Sequence, residues 1–203
     1  MIIHQLGLKL YAETLTAMQS FVELSDKDTP DEIWFVQHPP VYTQGTACDL
    51  TALIESDIPL VKSDRGGQIT YHGLGQIVMY VMLNLKRHGL GVKALVDMLE
   101  QTMINVLESF DIVAIRKQGA PGVYVEGAKI GALGLRFRKG FSYHGLSLNV
   151  DMDLSPFQNI DPCGYQGMPV TQIKDHLDKH LAEKLSLETV QQALHKEFSS
   201  LLV

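Results

Sequence analysis

Cys163 stands in Asn159-Ile-Asp-Pro-Cys-Gly-Tyr-Gln-Gly-Met-Pro169. Asp-Pro opens a turn, and Gly164 leaves the space beside the sulfur clear, so a bulky acyl group could reach a thiol on this loop. Most cysteines are small buried hydrophobes, and Cys48, in Thr46-Ala-Cys-Asp49, fits that description. The loop setting of Cys163 points towards a nucleophile, without deciding the matter alone. Such a thiol needs a cation or base nearby, because little of it is thiolate near neutral pH at its ordinary pKa.

Lys129 is the candidate for that cation. Strict alternation through Ala128-Lys-Ile-Gly-Ala-Leu-Gly-Leu-Arg-Phe-Arg138 puts Lys129 on one face with Gly131, Leu133, Leu135 and Phe137. Arg136 and Arg138 fall on the other. An ammonium on an apolar face is costly unless paired or neutralised, and a functional lysine is one reading of it. The competing reading is a lysine near a strand start that snorkels to water, and a β-bulge would reverse the faces altogether.

The third unusual segment is Arg65-Gly-Gly-Gln-Ile-Thr-Tyr-His-Gly-Leu-Gly-Gln76, with four glycines in twelve residues. Glycines let a backbone approach a ligand and offer it N–H groups. The segment is neither a Walker A motif nor a dinucleotide fingerprint. A plain β-turn would need only the glycine pair. The arginine, histidine, threonine, tyrosine and glutamines around it favour a binding loop.

His144, in Ser142-Tyr-His-Gly-Leu-Ser-Leu-Asn-Val150, shares a face with Leu146, Leu148 and Val150 by alternation, which describes a satisfied core histidine better than a catalyst. His176 and His180 have the spacing of a metal pair on a helix, but no third ligand is evident and lysines and aspartates surround them, so no metal is expected.

These residues need a scaffold. Three segments carry a helical period: Leu8, Tyr11, Leu15, Met18 and Val22; Val92, Leu95, Leu99, Met103, Val106 and Phe110; and Leu187, Val190, Leu194, Phe198 and Leu201, opened by Ser186 as an N-cap. Strands are expected at 33–37, 41–43, 60–62, 77–85, 112–116, 123–125, 128–138 and 142–150. Several follow one another without a helix. The fold class is therefore α/β of the α+β type, a mixed and largely antiparallel sheet with helices packed on it.

The 203 residues are 45% hydrophobic and 20% charged, suited to one sizeable core, and they are read as a single catalytic domain, 1–203. A net charge of −6 argues against a nucleic-acid binder. The N-terminus does not read as a signal peptide, and no apolar run is long enough to span a bilayer. With two cysteines and no disulfide framework, a reducing, cytoplasmic setting is expected.

Taken together, these motifs resemble the octanoyltransferases, also called lipoate-protein ligase B or lipoyl(octanoyl) transferases, from about His38-Pro-Pro-Val-Tyr-Thr-Gln-Gly45 to Pro169. The resemblance rests on Arg65-Gly-Gly-x-x-Thr-x-His72 with Gly75-Gln76 and Tyr80, on Lys129-Ile-x-x-Leu-Gly134 and His144-Gly-Leu146, and on Pro162-Cys-Gly164. It implies the fold of biotin protein ligases and lipoate-protein ligase A. Cys163 would be the acyl-accepting nucleophile and Lys129 the group that lowers its pKa. The acyl site would be lined by Arg65, Gly66, Gly67, Gln68, Ile69, Thr70, Tyr71, His72, Ala132, Leu133, Gly134, Gly145, Leu146 and Ser147.

The implied donor is octanoyl-acyl carrier protein. The implied acceptors are lipoyl domains of 2-oxoacid dehydrogenase complexes and the glycine cleavage H protein, with no cofactor, ATP, nucleic acid or membrane. Arg136, Arg138 and Lys139 are a candidate docking patch for acidic partners, or else an ordinary solvated face. The alternatives are an ATP-dependent lipoate or biotin ligase, a non-catalytic acyl-binding protein and a cysteine hydrolase. The Pro-Cys-Gly loop speaks against the ligase, which needs no nucleophilic thiol.

Overall fold

The structure, a computed structural model, describes residues 1–48, 56–160 and 169–202. Seven strands form the main sheet in the order β1 (Ile2–Leu8), β2 (Glu32–Gln37), β6 (Gln76–Met82), β10 (Phe141–Asn149), β9 (Ala128–Arg138), β8 (Ala120–Val125) and β7 (Ile115–Lys117). A second sheet carries β4 (Leu60–Lys62), β3 (Val41–Gln44) and β5 (Ile69–His72). In the main sheet β1 and β2 run parallel and the other neighbours are antiparallel. The mixed, mostly antiparallel architecture expected from the sequence is the one observed.

Strand β6 lies third in the order and all seven of its residues are buried. Its near-unbroken apolar sequence is what a strand covered on both faces requires. Ile77, Met79 and Val81 face α2 (Val92–Glu108) and α4 (Leu187–Leu201), where Leu95, Leu99, Met103, Val190, Leu194 and Phe198 complete an apolar layer. Val78, Tyr80 and Met82 face α1 (Tyr11–Leu24) through Tyr11, Met18 and Val22. Ser186 caps α4 as expected, its Oγ accepting the Thr189 N–H at 3.1 Å.

Turn chemistry sets the hairpins that carry the site. Lys139 and Gly140, with φ of 51° and 88°, join β9 to β10. A two-residue turn with both φ positive follows the twist of its strands, and glycine makes the second position inexpensive.

Some expectations are corrected. Leu8 belongs to β1, an edge strand the helical period concealed, and α1 starts only at Tyr11. The strand expected at 112–116 is displaced: Asp111 takes φ 59°, Ile112 enters the core, and β7 covers Ile115–Lys117. A third of the glycine-rich segment, Ile69–His72, is itself a strand, β5. His176 closes a 3-10 turn while His180 lies in the short helix α3 (Lys179–Lys184), so they do not share a helix. Among the described residues, no helix is long and apolar enough to cross a membrane.

Candidate active site

Arg65 to Gln68 join β4 to β5, and this loop lies along β9, where the Gly66 N–H donates to the Leu135 carbonyl at 3.0 Å. The approach is close enough that a Cβ on Gly134 would stand 2.8 Å from the Gly66 oxygen, so Gly134 is required for contact. Arg65 is 8% exposed, and its guanidinium donates to the Thr43 carbonyl at 2.7 Å, the Thr43 hydroxyl at 2.9 Å and the Gly66 carbonyl at 3.0 Å. All three acceptors are neutral. Arg65 thus pins the loop to β3 and holds its charge beside the site.

Beneath the loop lies a narrow cavity of about 50 Å³, bounded by Thr70, His72, Ala132, Leu133, Gly134, Gly145, Leu146 and Ser147, with Arg65 at its rim. Of the expected site residues, Gly66, Gly67 and Gln68 line a hollow on the other side of the loop instead, and Ile69 and Tyr71 are brought to neither. These two alternate to the other face of β5 and pack with Tyr42, Met152 and Ile160. Tyr11, Val78 and Tyr80 also bound the cavity, and helical or strand periodicity alone marks them only as core.

A neutral imidazole, His72, borders the cavity, and another, His38, stands behind it against Tyr80 and His72. His38 Nδ1 faces the Lys9 carbonyl at 2.7 Å and must donate, so its Nε2 accepts the Tyr80 hydroxyl at 2.8 Å. His72 Nδ1 donates to Gln76 Oε1 at 2.6 Å, and Gln76 in turn donates to Asn149 at 2.9 Å. Burial, opposed by the Lys9 carbonyl, draws the His38 pKa down to about 4. Burial, aided by neighbouring His38, draws His72 down to about 3. Both are therefore uncharged at neutral pH.

His144 departs from the alternation read in the sequence. Its φ of 62° turns the ring away from the Leu146 face, to stack on Tyr143 and border the cavity. Its Nε2 meets Asp64 at 2.8 Å, and its buried Nδ1 has no hydrogen-bond partner among the described residues. Asp64 also accepts from the Tyr143 hydroxyl at 2.6 Å and from Gln19 at 3.1 Å, which ties the glycine loop to β10 and α1. Burial pushes the Asp64 carboxyl up, but these hydrogen bonds together outweigh it and hold the carboxyl well below the usual range. Burial, reinforced by Asp64, pushes the Tyr143 hydroxyl up to about 12. Adjacency to Arg65 was the only sequence signal for Asp64.

Lys129 borders a second small cavity with Thr70, Gln76, Ala132, Ser147, Asn149, Phe157 and Val170. Its face is reversed from strict alternation. Val123 pairs with Gly131 and Tyr124 with Lys129, so β9 carries one extra residue, Ile130, in a bulge. Ile130 takes the core position on the α2 side, and Lys129 turns to the side of Thr70 and Ser147. Its Nζ donates to the Pro121 carbonyl at 3.3 Å and lies 5.3 Å from the centre of the Tyr124 ring. The Lys129 backbone holds the segment after the cysteine loop, with Lys129 N–H to Pro169 O at 2.8 Å and Thr171 N–H to Lys129 O at 3.0 Å. Cys163 itself lies outside the described residues.

The bulge therefore puts Arg136 and Arg138 on the same face of β9 as Lys129, contrary to strict alternation, and the basic cluster at the far end of the strand is partly compensated. Arg138 and Lys139 both pair with Glu23, at 2.8 and 3.1 Å.

The fold and site define a member of one family. Residues 10–199 match the lipoyl protein ligase A/B catalytic domain, and the chain belongs to that family. Within it the chain groups with the octanoyltransferases, a class of acyltransferases, as the sequence motifs implied. It is 56% identical to the octanoyltransferase of Erwinia tasmaniensis, over 85% of this chain and 78% of that one. It is 50% identical to the octanoyltransferase of Pseudomonas entomophila, over 95% and 87%. Among solved structures, lipoate-protein ligase A bound with ATP superposes with a TM-score of 0.79 at 17% identity, covering 98% of this chain and 84% of that one. Biotin protein ligase from Aquifex aeolicus superposes with a TM-score of 0.56 at 13% identity, covering 99% and 68%. At such identities these two likenesses concern the fold alone.

Proposed function

We propose that this protein moves an octanoyl group from octanoyl-acyl carrier protein to a lysine of a lipoyl domain, through a thioester on Cys163. The acceptors are the lipoyl domains of 2-oxoacid dehydrogenase complexes and the glycine cleavage H protein, and the setting is the reducing cytoplasm. The observation that carries this reading is the pairing of Lys129 with Pro169 and Thr171. Cys163 lies in sequence between Ile160 and Pro169, and Pro169 pairs with the backbone of Lys129 beside a cavity bounded by Phe157 and Val170. Relatives named octanoyltransferase support the choice of acyl group.

The chemistry closes without ATP. The Lys129 ammonium favours the Cys163 thiolate, and the two titrate as a pair. The thiolate attacks the carbonyl carbon of the donor thioester, and backbone N–H groups near the glycine loop steady the oxyanion. As the tetrahedral species collapses, the carrier's sulfur leaves and takes the proton from Lys129. The acceptor lysine then attacks the new thioester as a free amine, gives its proton to Lys129, and Cys163 departs as thiolate. One thioester replaces another in the first half, and a more stable amide forms in the second. The bound chain occupies the cavity beneath the glycine loop, and the neutral state of His38 and His72 suits an uncharged acyl group.

The reading is tested by following octanoylation of a lipoyl domain from octanoyl-acyl carrier protein in the absence of ATP. Transfer by the wild type, abolished in Cys163→Ala, is expected. Transfer that requires ATP and survives Cys163→Ala would instead make the protein a ligase.

A further inference from the structure

A second, larger hollow adjoins the site. Strand β8 pairs with β9 only as far as Gly131, so from Ala132 onward one edge of β9 has no strand partner. Along that edge runs a groove of about 520 Å³, with the glycine loop as one wall and Val92 and Val96 of α2 as the other. Met103 abuts Gly131, and α2 runs back from there, so Val96 and Val92 border the end of the groove remote from Lys129. Lys129 and Phe137 mark its two ends, separated by about 26 Å of strand at about 3.3 Å per residue.

We propose that this groove holds the prosthetic arm of the thioester donor, a phosphopantetheine-type chain with two amides and a terminal phosphodiester. The inference rests on the octanoyl-transfer reading above, and adds to it a site for the part of the donor that does not react. Three observations select this occupant. The groove leads to Lys129 and is far longer than an acceptor lysine side chain needs. Its floor alternates apolar side chains with the open strand edge, where Leu133 and Phe137, of the same parity as Leu135, direct their peptide groups. Because Gly66 already takes the Leu135 carbonyl, the edge offers separate places for isolated amides and no continuous ladder for an added peptide strand. Among the described lining residues the only charged ones are Arg65 and Lys129, both cationic, which suits an anionic arm.

The experiment compares two donors with the same acyl group, octanoyl-phosphopantetheine and octanoyl-N-acetylcysteamine, with a lipoyl domain as acceptor. Binding energy from the remote arm should give the first donor a kcat/KM higher by about tenfold or more. Val92 is 49% exposed at the remote end of the groove, so changing it should leave the fold intact. Val92→Glu should lower the ratio of the two kcat/KM values by about tenfold, and Val92→Lys should preserve it. Equal kcat/KM for the two donors in the wild type, or a ratio unmoved by Val92→Glu, would overturn the proposal. So would a Val92→Glu effect confined to the KM for the lipoyl domain, because the groove would then belong to the acceptor. A wild type inactive with both donors and with octanoyl-acyl carrier protein would overturn the octanoyl-transfer reading itself, and the arm site with it.

Discussion

The two faces of the main sheet are built to different ends. On the α2 and α4 side the layer is mostly apolar, and Ile77, Met79, Leu95, Leu99 and Met103 are wholly buried. On the α1 side the same strands meet His38, Tyr80, His144 and, through the second sheet, Arg65 and His72, all buried and polar. Burying such groups costs free energy unless each finds a partner, and the partners here are Lys9, Thr43, Asp64 and Gln76. One face supplies the stability that the other, holding cavity and loop, draws upon. Function and stability should therefore separate when residues on either face are changed.

The largest effect is expected at Lys129. Lys129→Met should lower the rate of transfer to a lipoyl domain by about 10²-fold or more, with an unfolding midpoint near that of the wild type. Loss of both activity and folding would make Lys129 part of the scaffold and erase the distinction between the faces. Met79→Ala, on the opposite layer, should act the other way. It should cost about 2–5 kcal/mol in urea unfolding, with the activity per folded molecule retained.

Acid should weaken the polar face first. His38 and His72 have folded pKa values of about 4 and 3, below the ordinary value of 6.5, so the unfolded chain binds protons more readily. The stability held by their neutral forms is complete above about pH 6.5 and is lost as pH falls towards 4 and then 3, by at most about 2.7 kcal/mol per pH unit for the pair. The depressed pKa of Asp64 withdraws stability only as pH falls through the ordinary carboxyl value, below the range from pH 7 to 4.5. Urea midpoints recorded from pH 7 to 4.5 should fall steadily. A flat profile would mean that these histidines are not buried as neutral groups.

The same contrast explains what the sequence made legible. The α2 and α4 helices were readable because their apolar stripes, from Val92 to Val106 and from Leu187 to Leu201, pack on one apolar layer, and Ser186 announces the start of α4. β9 was readable because Leu133, Leu135 and Phe137 alternate with Gly134, Arg136 and Arg138 beyond the bulge. β1 was not, because an edge strand half open to solvent needs no clear alternation, and its Leu8 fell into register with the stripe of α1. On the polar face local rules gave way to contacts distant in the chain. The bulge at Ile130 reversed Lys129, and the positive φ of His144 aimed its ring at Asp64, eighty residues earlier. Arg65, Gly66, Gly67, Thr70 and His72 were nonetheless marked as one site by composition, since glycines beside polar residues have few purely structural uses.

The central claim is that Cys163 carries the acyl group, and intact-mass spectrometry tests it most directly. The protein would be mixed with octanoyl-acyl carrier protein without ATP, beside Cys163→Ala. The account predicts an octanoyl mass gain on the wild type alone, discharged when a lipoyl domain is added. Transfer to the domain with no acylated enzyme at any time, by the wild type and by Cys163→Ala alike, would contradict it.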